Sequence, residues 1–133
     1  MLLIGHLDTV FEPDSAFTGW SRDGNRVTGP GVGDDKGGLV VIVATLRAMH
    51  AAGTLRNADI KVVLTGDEEK TGAPLDVARR DLVAAGKWAD VALEYENVAS
   101  DGTQDYATTA RRSSTNWEIV TSCLLYTSDA ADE

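Results

Sequence analysis

The residues of this sequence that are able to do chemistry are mostly acids, and they stand in short groups. The groups are His6 with Asp8, Asp34 with Asp35, Asp67 with Glu68 and Glu69, and Glu94 with Glu96. Carboxylates packed together repel one another unless a cation neutralises them. Imidazole and carboxylate are both ligands for zinc. If the fold brings the groups together, they form a divalent metal site, and so many carboxylates favour two ions over one.

Three apolar segments are the predicted strands that carry these groups. They are residues 2–5, 60–65 and 91–96, and each leads into or contains one of the groups. Continuous apolar runs of this length are typical of strands buried in a parallel sheet. In open α/β sheets, ligands bind outside the carboxyl ends of the strands. The sequence therefore predicts that the acidic groups meet at one edge of one sheet.

Helices are predicted between the strands. Apolar residues recur at helical spacing over residues 36–52, and Gly53 is well placed to end that helix. Residues 73–85 read as an amphipathic helix stopped by Gly86. Strands that alternate with helices are typical of an α/β fold, with a mainly parallel sheet flanked by helices.

Other segments depart from this alternation. Residues 8–33 are irregular and rich in turn-forming residues, with a possible short strand at 26–28. Residues 106–111 and 116–121 resemble paired strands. This closing pair breaks the strand–helix order and predicts the start of a different domain.

Each acidic group taken alone has an ordinary structural explanation. A histidine beside a carboxylate, such as His6 near Asp8, is more often a satisfied core pair. The acids at 67–69 would suit the start of a helix, where the dipole favours negative charge. Glu94 and Glu96 share one side of a strand and would simply meet solvent there. The occurrence of all the groups in order, along predicted strands, favours the metal site.

The glycine-rich loop at residues 29–33 does not match a phosphate-binding loop. Asp35 precedes Lys36 where such a loop requires glycine, and no serine or threonine follows. Adjacent aspartates at a helix start would also repel a phosphate. The loop is therefore predicted to deliver Asp34 and Asp35 to the metal site.

Composition restricts the other classes of function. The chain has 133 residues, with 12 Lys+Arg against 21 Asp+Glu and a net charge of −9. A chain this acidic repels the phosphate backbone, so we expect no nucleic-acid partner. No apolar run approaches the roughly 20 residues that span a bilayer, so we expect no membrane partner. A single cysteine, Cys123, excludes an internal disulfide and a thiolate metal cluster.

The sequence also resembles a known family in four places. Residues 5–10 (GHLDTV), 29–38 (GPGVGDDKGG) and 65–69 (TGDEE) resemble three successive signatures of the zinc-dependent metallohydrolases, and residues 89–96 (ADVALEYE) resemble a fourth. That family includes glutamate carboxypeptidase, succinyl-diaminopimelate desuccinylase and aminoacylase. The resemblance covers residues 2–121. The sequence departs from the family pattern at two positions. Gly72 stands one position later than the usual glycine, and Asn97 stands where many relatives have a proline. Neither position is an implied metal ligand.

The resemblance implies a di-zinc site. By resemblance, His6, Asp34 and Glu96 hold one zinc ion, and Asp34 bridges to a second zinc ion held by Glu69. Co²⁺ or Mn²⁺ are implied as substitutes. The second ion requires a further histidine that relatives supply from a later segment. His50 is expected to lie on a helix surface instead.

The resemblance also implies the reaction, which is hydrolysis of an amide bond in a small peptide or an N-acyl amino acid. Glu68 is implied as the general base, and Asp8 as the residue that fixes the tautomer of His6. The Asp34–Asp35 peptide is implied to be cis. The alternatives are a catalytically inactive fragment and a magnesium-dependent phosphoryl-transfer protein. His6 and the lack of a phosphate loop argue against the latter.

The domain organisation follows from the same resemblance. Residues 1–100 are expected to be part of a di-zinc exopeptidase-like catalytic domain, and residues 101–122 the beginning of an α+β lid domain through which the parent protein forms a homodimer. Residues 123–133 resemble the translation of a sequencing adapter and are expected to be an artefactual tail. We expect a chain truncated at both ends, with weak zinc binding and no turnover on its own. The sequence predicts no cellular compartment.

Overall fold

The structure is a computed structural model that describes residues 1–96, 98–110 and 117–120. Its strands are β1 (Leu2–His6), β2 (Ser21–Asp23), β3 (Arg26–Thr28), β4 (Lys61–Thr65), β5 (Ala92–Glu94), β6 (Ala99–Ser100) and β7 (Asp105–Tyr106). Its helices are α1 (Gly38–Ala51), α2 (Leu75–Ala78) and α3 (Arg80–Trp88). An irregular turn, Val32–Gly37, leads into α1, and a short 3₁₀ turn, Thr54–Asn57, follows it.

A three-stranded parallel sheet forms the centre of the fold and confirms the predicted α/β class. The strand order is β4–β1–β5, and both pairs are parallel. The middle strand carries Leu2 and Leu3, each only 1% exposed, because both of its faces are covered. Parallel pairing places the carboxyl ends of all three strands at the same edge. The loops that follow the three strands therefore all begin at this edge of the sheet.

Helix α1 packs against β1 where the central strand has a glycine. A β-carbon added at Gly5 would lie 2.9 Å from a methyl group of Leu39 and 2.7 Å from Asp35 Oδ2. Glycine at this position therefore allows the helix and the aspartate to approach the strand. The predicted end of α1 is confirmed, since Gly53 follows it with φ +72°, a conformation that favours glycine.

The second predicted helix differs from the structure. It is interrupted at Arg79 (φ −104°, ψ 3°) and divided into α2 and α3. Gly86 does not stop it, because this glycine keeps a negative φ and α3 continues to Trp88. A glycine inside a helix costs only about 1 kcal/mol relative to alanine. Two contacts stabilise this last turn: Ala85 is buried, and the centroid of the Trp88 ring lies 4.4 Å from the Lys61 ammonium.

The outer strands are more exposed and shorter than predicted. In β4, Val62 is 38% and Leu64 is 42% exposed, so the prediction of a second buried strand is wrong. The predicted third strand, 91–96, is reduced to β5. Strand β3 is confirmed and pairs antiparallel with β2 across the two-residue turn Gly24–Asn25.

The predicted closing strand pair is wrong within the described residues. Strand β7 pairs with β6 instead, and neither 107–110 nor 117–120 forms regular secondary structure. The rest of that predicted pair, residues 111, 116 and 121, lies outside the described residues, as does 123–133. Among the described residues, no helix has the length and apolar character needed to cross a bilayer.

Candidate metal centre

The predicted site residues meet at the carboxyl edge of the sheet. Two overlapping groups of three residues could each hold a metal ion. Within each group, one potential ligand atom per residue lies within 4.8 Å of the other two. The first group is His6, Asp34 and Glu96, and the second is His6, Glu68 and Glu69. Every residue predicted as a metal ligand, together with Glu68, therefore belongs to a group that contains His6.

His6 is the residue shared by both groups, and it is only 3% exposed. Its Nε2 lies 2.7 Å from Asp34 Oδ1, and its Nδ1 lies 3.2 Å from the backbone oxygen of Asp8. Burial acts to lower the pKa of His6, but the hydrogen bond to Asp34 and the negative charges of Asp34, Asp35 and Glu68 outweigh it. The pKa of His6 is therefore raised. The imidazole lies where a positive charge is favoured.

Asp8 binds the backbone of the loop that follows the neighbouring strand β4. Its Oδ1 accepts a hydrogen bond from the Glu68 amide at 3.1 Å, and its Oδ2 accepts one from the Glu69 amide at 2.9 Å. Burial acts to raise the pKa of Asp8, but these two amides outweigh it and the pKa is lowered. The predicted contact with the His6 ring is made mainly by the Asp8 backbone oxygen, since the carboxylate Oδ1 is 3.4 Å from Nδ1.

Asp35 is a site residue whose role the sequence did not predict. It is 1% exposed, and its Oδ2 accepts a hydrogen bond from the backbone amide of His6 at 3.0 Å. Its Oδ1 is buried without a hydrogen-bond partner among the described residues. The Asp34–Asp35 peptide is cis, as the resemblance implied. One aspartate therefore contacts the ring of His6 and its neighbour contacts the backbone of the same residue.

Glu69 lies among other acids. Burial raises the pKa of its carboxyl, and the nearby charges of Asp34 and Glu68 raise it further. Glu94 belongs to neither ligand group, but it lines a cavity of about 300 Å³ together with His6, Asp35 and Glu68. This crowding of like charge at one edge is the situation that a bound cation would relieve.

The donor set fits zinc. Each group brings one imidazole and two carboxylates within 4.8 Å of one another, and zinc uses such ligands, whereas Mg²⁺ and Ca²⁺ prefer sites of oxygen alone. The other histidine, His50, is exposed near the end of α1, on the helix surface where it was expected. It lines a surface groove with Val43, Leu46 and Leu55.

Comparison with known proteins shows which family this sequence matches. The sequence profile of peptidase family M20/M25/M40 matches residues 2–111, which is most of the chain. Carboxypeptidase G2 from Pseudomonas sp. (strain RS-16) is 36% identical over 98 residues, which cover 72% of this chain and 23% of the relative. The chain thus spans about a quarter of the length of that curated relative. No solved structure matches the chain significantly.

Proposed function

The chain belongs to peptidase family M20/M25/M40, and from this membership we propose that it is the metal-binding segment of a di-zinc hydrolase that cleaves amide bonds. The proposed substrates are small peptides or N-acyl amino acids, as for a carboxypeptidase or an N-acyl-amino-acid hydrolase. The observation that carries the proposal is the pair of donor groups that share His6 at the carboxyl edge of a parallel sheet. Ligand sites in α/β folds occur at this edge.

In this proposal, His6, Asp34 and Glu96 hold one zinc ion, and Asp34 with Glu69 holds the second. Co²⁺ or Mn²⁺ are the proposed substitutes. When bound, zinc would polarise a substrate carbonyl and lower the pKa of a water molecule. The proximity of the ligand atoms of His6, Asp34 and Glu96 supports the first set. For the second ion, the support is that the charge of Asp34 acts on the Glu69 carboxyl, which also lies in one donor group with His6.

Glu68 is the proposed general base. Its carboxylate is exposed and lies within the second donor group, beside the proposed ligand Glu69. It would accept a proton from the attacking water and donate it to the departing amine. Asp8 supports this role, because its carboxylate fixes the backbone amides of both Glu68 and Glu69.

The same resemblance leads us to propose that residues 1–100 belong to the catalytic domain and 101–122 begin a lid domain. Through that lid, two copies of the longer protein would pair. The oligomeric state of the longer protein, measured with and without the lid domain, tests this homodimer.

Zinc retention by the chain itself tests the site. We expect the unaltered chain to bind zinc, although weakly, in equilibrium dialysis against buffer that contains both zinc and excess Mg²⁺, with metal content measured by mass spectrometry. His6→Ala should lose that zinc, because both donor groups contain His6. His50→Ala is the matched control and should retain it. Equal retention by His6→Ala and the unaltered chain, or displacement of zinc by Mg²⁺, would overturn the proposal.

A further inference from the structure

The loop that carries Glu68 and Glu69 is held from a second side by an arginine. Arg79 Nη1 donates to Asp67 Oδ1 at 2.5 Å, and Nη2 donates to the Asp67 backbone oxygen at 2.8 Å. Nη2 also donates to Thr71 Oγ1 at 2.9 Å. One guanidinium therefore ties both ends of the segment 67–71. We refer to Arg79, Asp67 and Thr71 as the Arg79 clamp.

The clamp is partly shielded from solvent. The side chains of Arg79 and Asp67 are 20% and 29% exposed, whereas the next arginine, Arg80, is 71% exposed and pairs only with its neighbour Asp81 among the described residues. Asp67 Oδ2 additionally accepts a hydrogen bond from the Gly72 amide at 2.8 Å. A planar guanidinium that binds a carboxylate and a carbonyl together fixes geometry more firmly than a point charge.

The interruption between α2 and α3 places Arg79 beside the loop that carries Glu68 and Glu69. Arg79 stands between the two helices, where its amide still donates to the Leu75 oxygen at 2.9 Å. Arg79 lines the same cavity as Glu68 and His6. The break in the predicted helix thus coincides with the residue that contacts the loop.

We propose that Arg79 is a positioning residue for the metal centre. It holds residues 67–71 so that the carboxylates of Glu68 and Glu69 face His6, while Asp8 holds the same loop from the side of β1. Two independent anchors fix the loop: Asp8 through the amides of residues 68 and 69, and Arg79 through Asp67 and Thr71. This inference rests on the proposed function for its consequence, which is tighter metal binding.

The test compares Arg79→Gln with Arg80→Gln in the 133-residue chain. In the metal-free state, Arg79→Gln should speed amide hydrogen exchange at Glu68, Glu69 and Gly72 by roughly tenfold, because the loop loses its charge-assisted hydrogen bonds. Amides of β1 should exchange at the original rate, which shows that the fold is retained. Zinc affinity should fall by roughly 10–100-fold, as for other residues that support ligands. Arg80→Gln should change neither quantity, and Arg79→Lys should restore only part of both.

The outcomes separate this inference from the proposed function. If Arg79→Gln matches Arg80→Gln in loop exchange, the clamp is overturned. Faster loop exchange with unchanged zinc affinity would overturn the role of Arg79 in positioning the metal ligands. If the unaltered chain binds no zinc, the proposed function fails by itself. The exchange rates at Glu68 and Glu69 then still decide whether Arg79 positions the loop. If Arg79→Gln does not fold, Thr71→Val removes one acceptor of the guanidinium, and it should speed exchange at the same amides by a smaller factor.

Discussion

Two acidic regions of this chain use the carboxylate in opposite ways. At the sheet edge, the carboxyl of Glu69 is partly buried beside Asp34 and Glu68, and its pKa is raised. In the β6–β7 hairpin, the carboxylate of Asp101 accepts hydrogen bonds from Thr103, Gln104 and Tyr106, and its pKa is lowered. The number of nearby hydrogen-bond donors, rather than the number of acids, therefore distinguishes a structural carboxylate from a candidate ligand.

The same distinction operates within the site. Asp8 and Asp35 face backbone amides, which they hold in place, whereas Asp34 contacts the His6 ring and Glu69 faces other acids. The first pair therefore shapes the site, and the second pair consists of proposed metal ligands. Substitutions at the two kinds of acid are therefore expected to have different effects.

The largest expected effect follows from Glu68→Gln in a longer protein that contains this segment. Removal of the general base should reduce kcat by about 10²–10⁴-fold, while zinc content stays the same because Glu68 is not a proposed ligand. Asp101→Asn, in the hairpin, should stay within about twofold of the unaltered protein, since Asp101 serves local structure. Substantial turnover by Glu68→Gln, measured on the same N-acyl amino acid or dipeptide, would refute the assignment of the base.

The next effect concerns stabilisation of the chain by zinc. At a free zinc concentration about 100 times Kd, binding should raise the free energy of unfolding by about 2.7 kcal/mol. Asp34→Asn should lose most of this gain, because Asp34 is the proposed bridging ligand. Urea denaturation with and without zinc measures the difference. Asp101→Asn should keep the full gain, and a full gain in Asp34→Asn would remove Asp34 from the site.

A smaller effect is expected from Asp8→Asn in the metal-free chain. An amide side chain offers one acceptor where the carboxylate satisfies two backbone amides, and its NH₂ group would face a donor. We expect the free energy of unfolding to fall by about 1–2 kcal/mol. Asp81→Asn, at an 82% exposed side chain, should change it by less than about 0.5 kcal/mol. Equal urea midpoints for the two variants would show that Asp8 does not hold the loop.

The smallest effect is a difference in titration between the two regions. In the metal-free chain, Glu69 should protonate above its ordinary pKa of 4.5, and Asp101 below its ordinary 3.8. The Asp101 contribution to stability is therefore present above pH 3.8 and lost as the pH falls through its lower folded pKa. The Glu69 contribution is present below pH 4.5 and lost as the pH rises through its raised folded pKa. Carboxyl chemical shifts measure both, and shifts of the same sign would contradict the comparison.

The sequence predicted the parts of the fold that depend on local pattern. The apolar run at residues 2–5 and the helical spacing over 36–52 correspond to β1 and α1 within two residues. The alternation of strands and helices predicted that His6 and Glu69 lie at the same edge of the sheet. These features could be predicted because hydrophobic periodicity and the parallel α/β pattern fix them.

The errors occurred where a side chain overrides the local pattern. Gly86 resembled a helix stop, but α3 passes through it and is anchored by Trp88. Arg79, at the break between α2 and α3, binds a distant loop that no spacing rule connects to it. Asp101 closes a hairpin earlier in the chain than the predicted strand pair. Strand β2 was missed because it is short and polar, although the turn Gly24–Asn25 was a usable signal.

The most direct test of the central claim is anomalous diffraction at the zinc edge from crystals of the zinc-loaded chain. We expect a peak about 2.0–2.2 Å from His6 Nε2 and from carboxylate oxygens of Asp34 and Glu96. A second peak should lie beside Glu69. Zinc found only at His50 or at exposed acids such as Asp81, with no peak beside His6, would contradict the claim that this edge of the sheet is a metal centre.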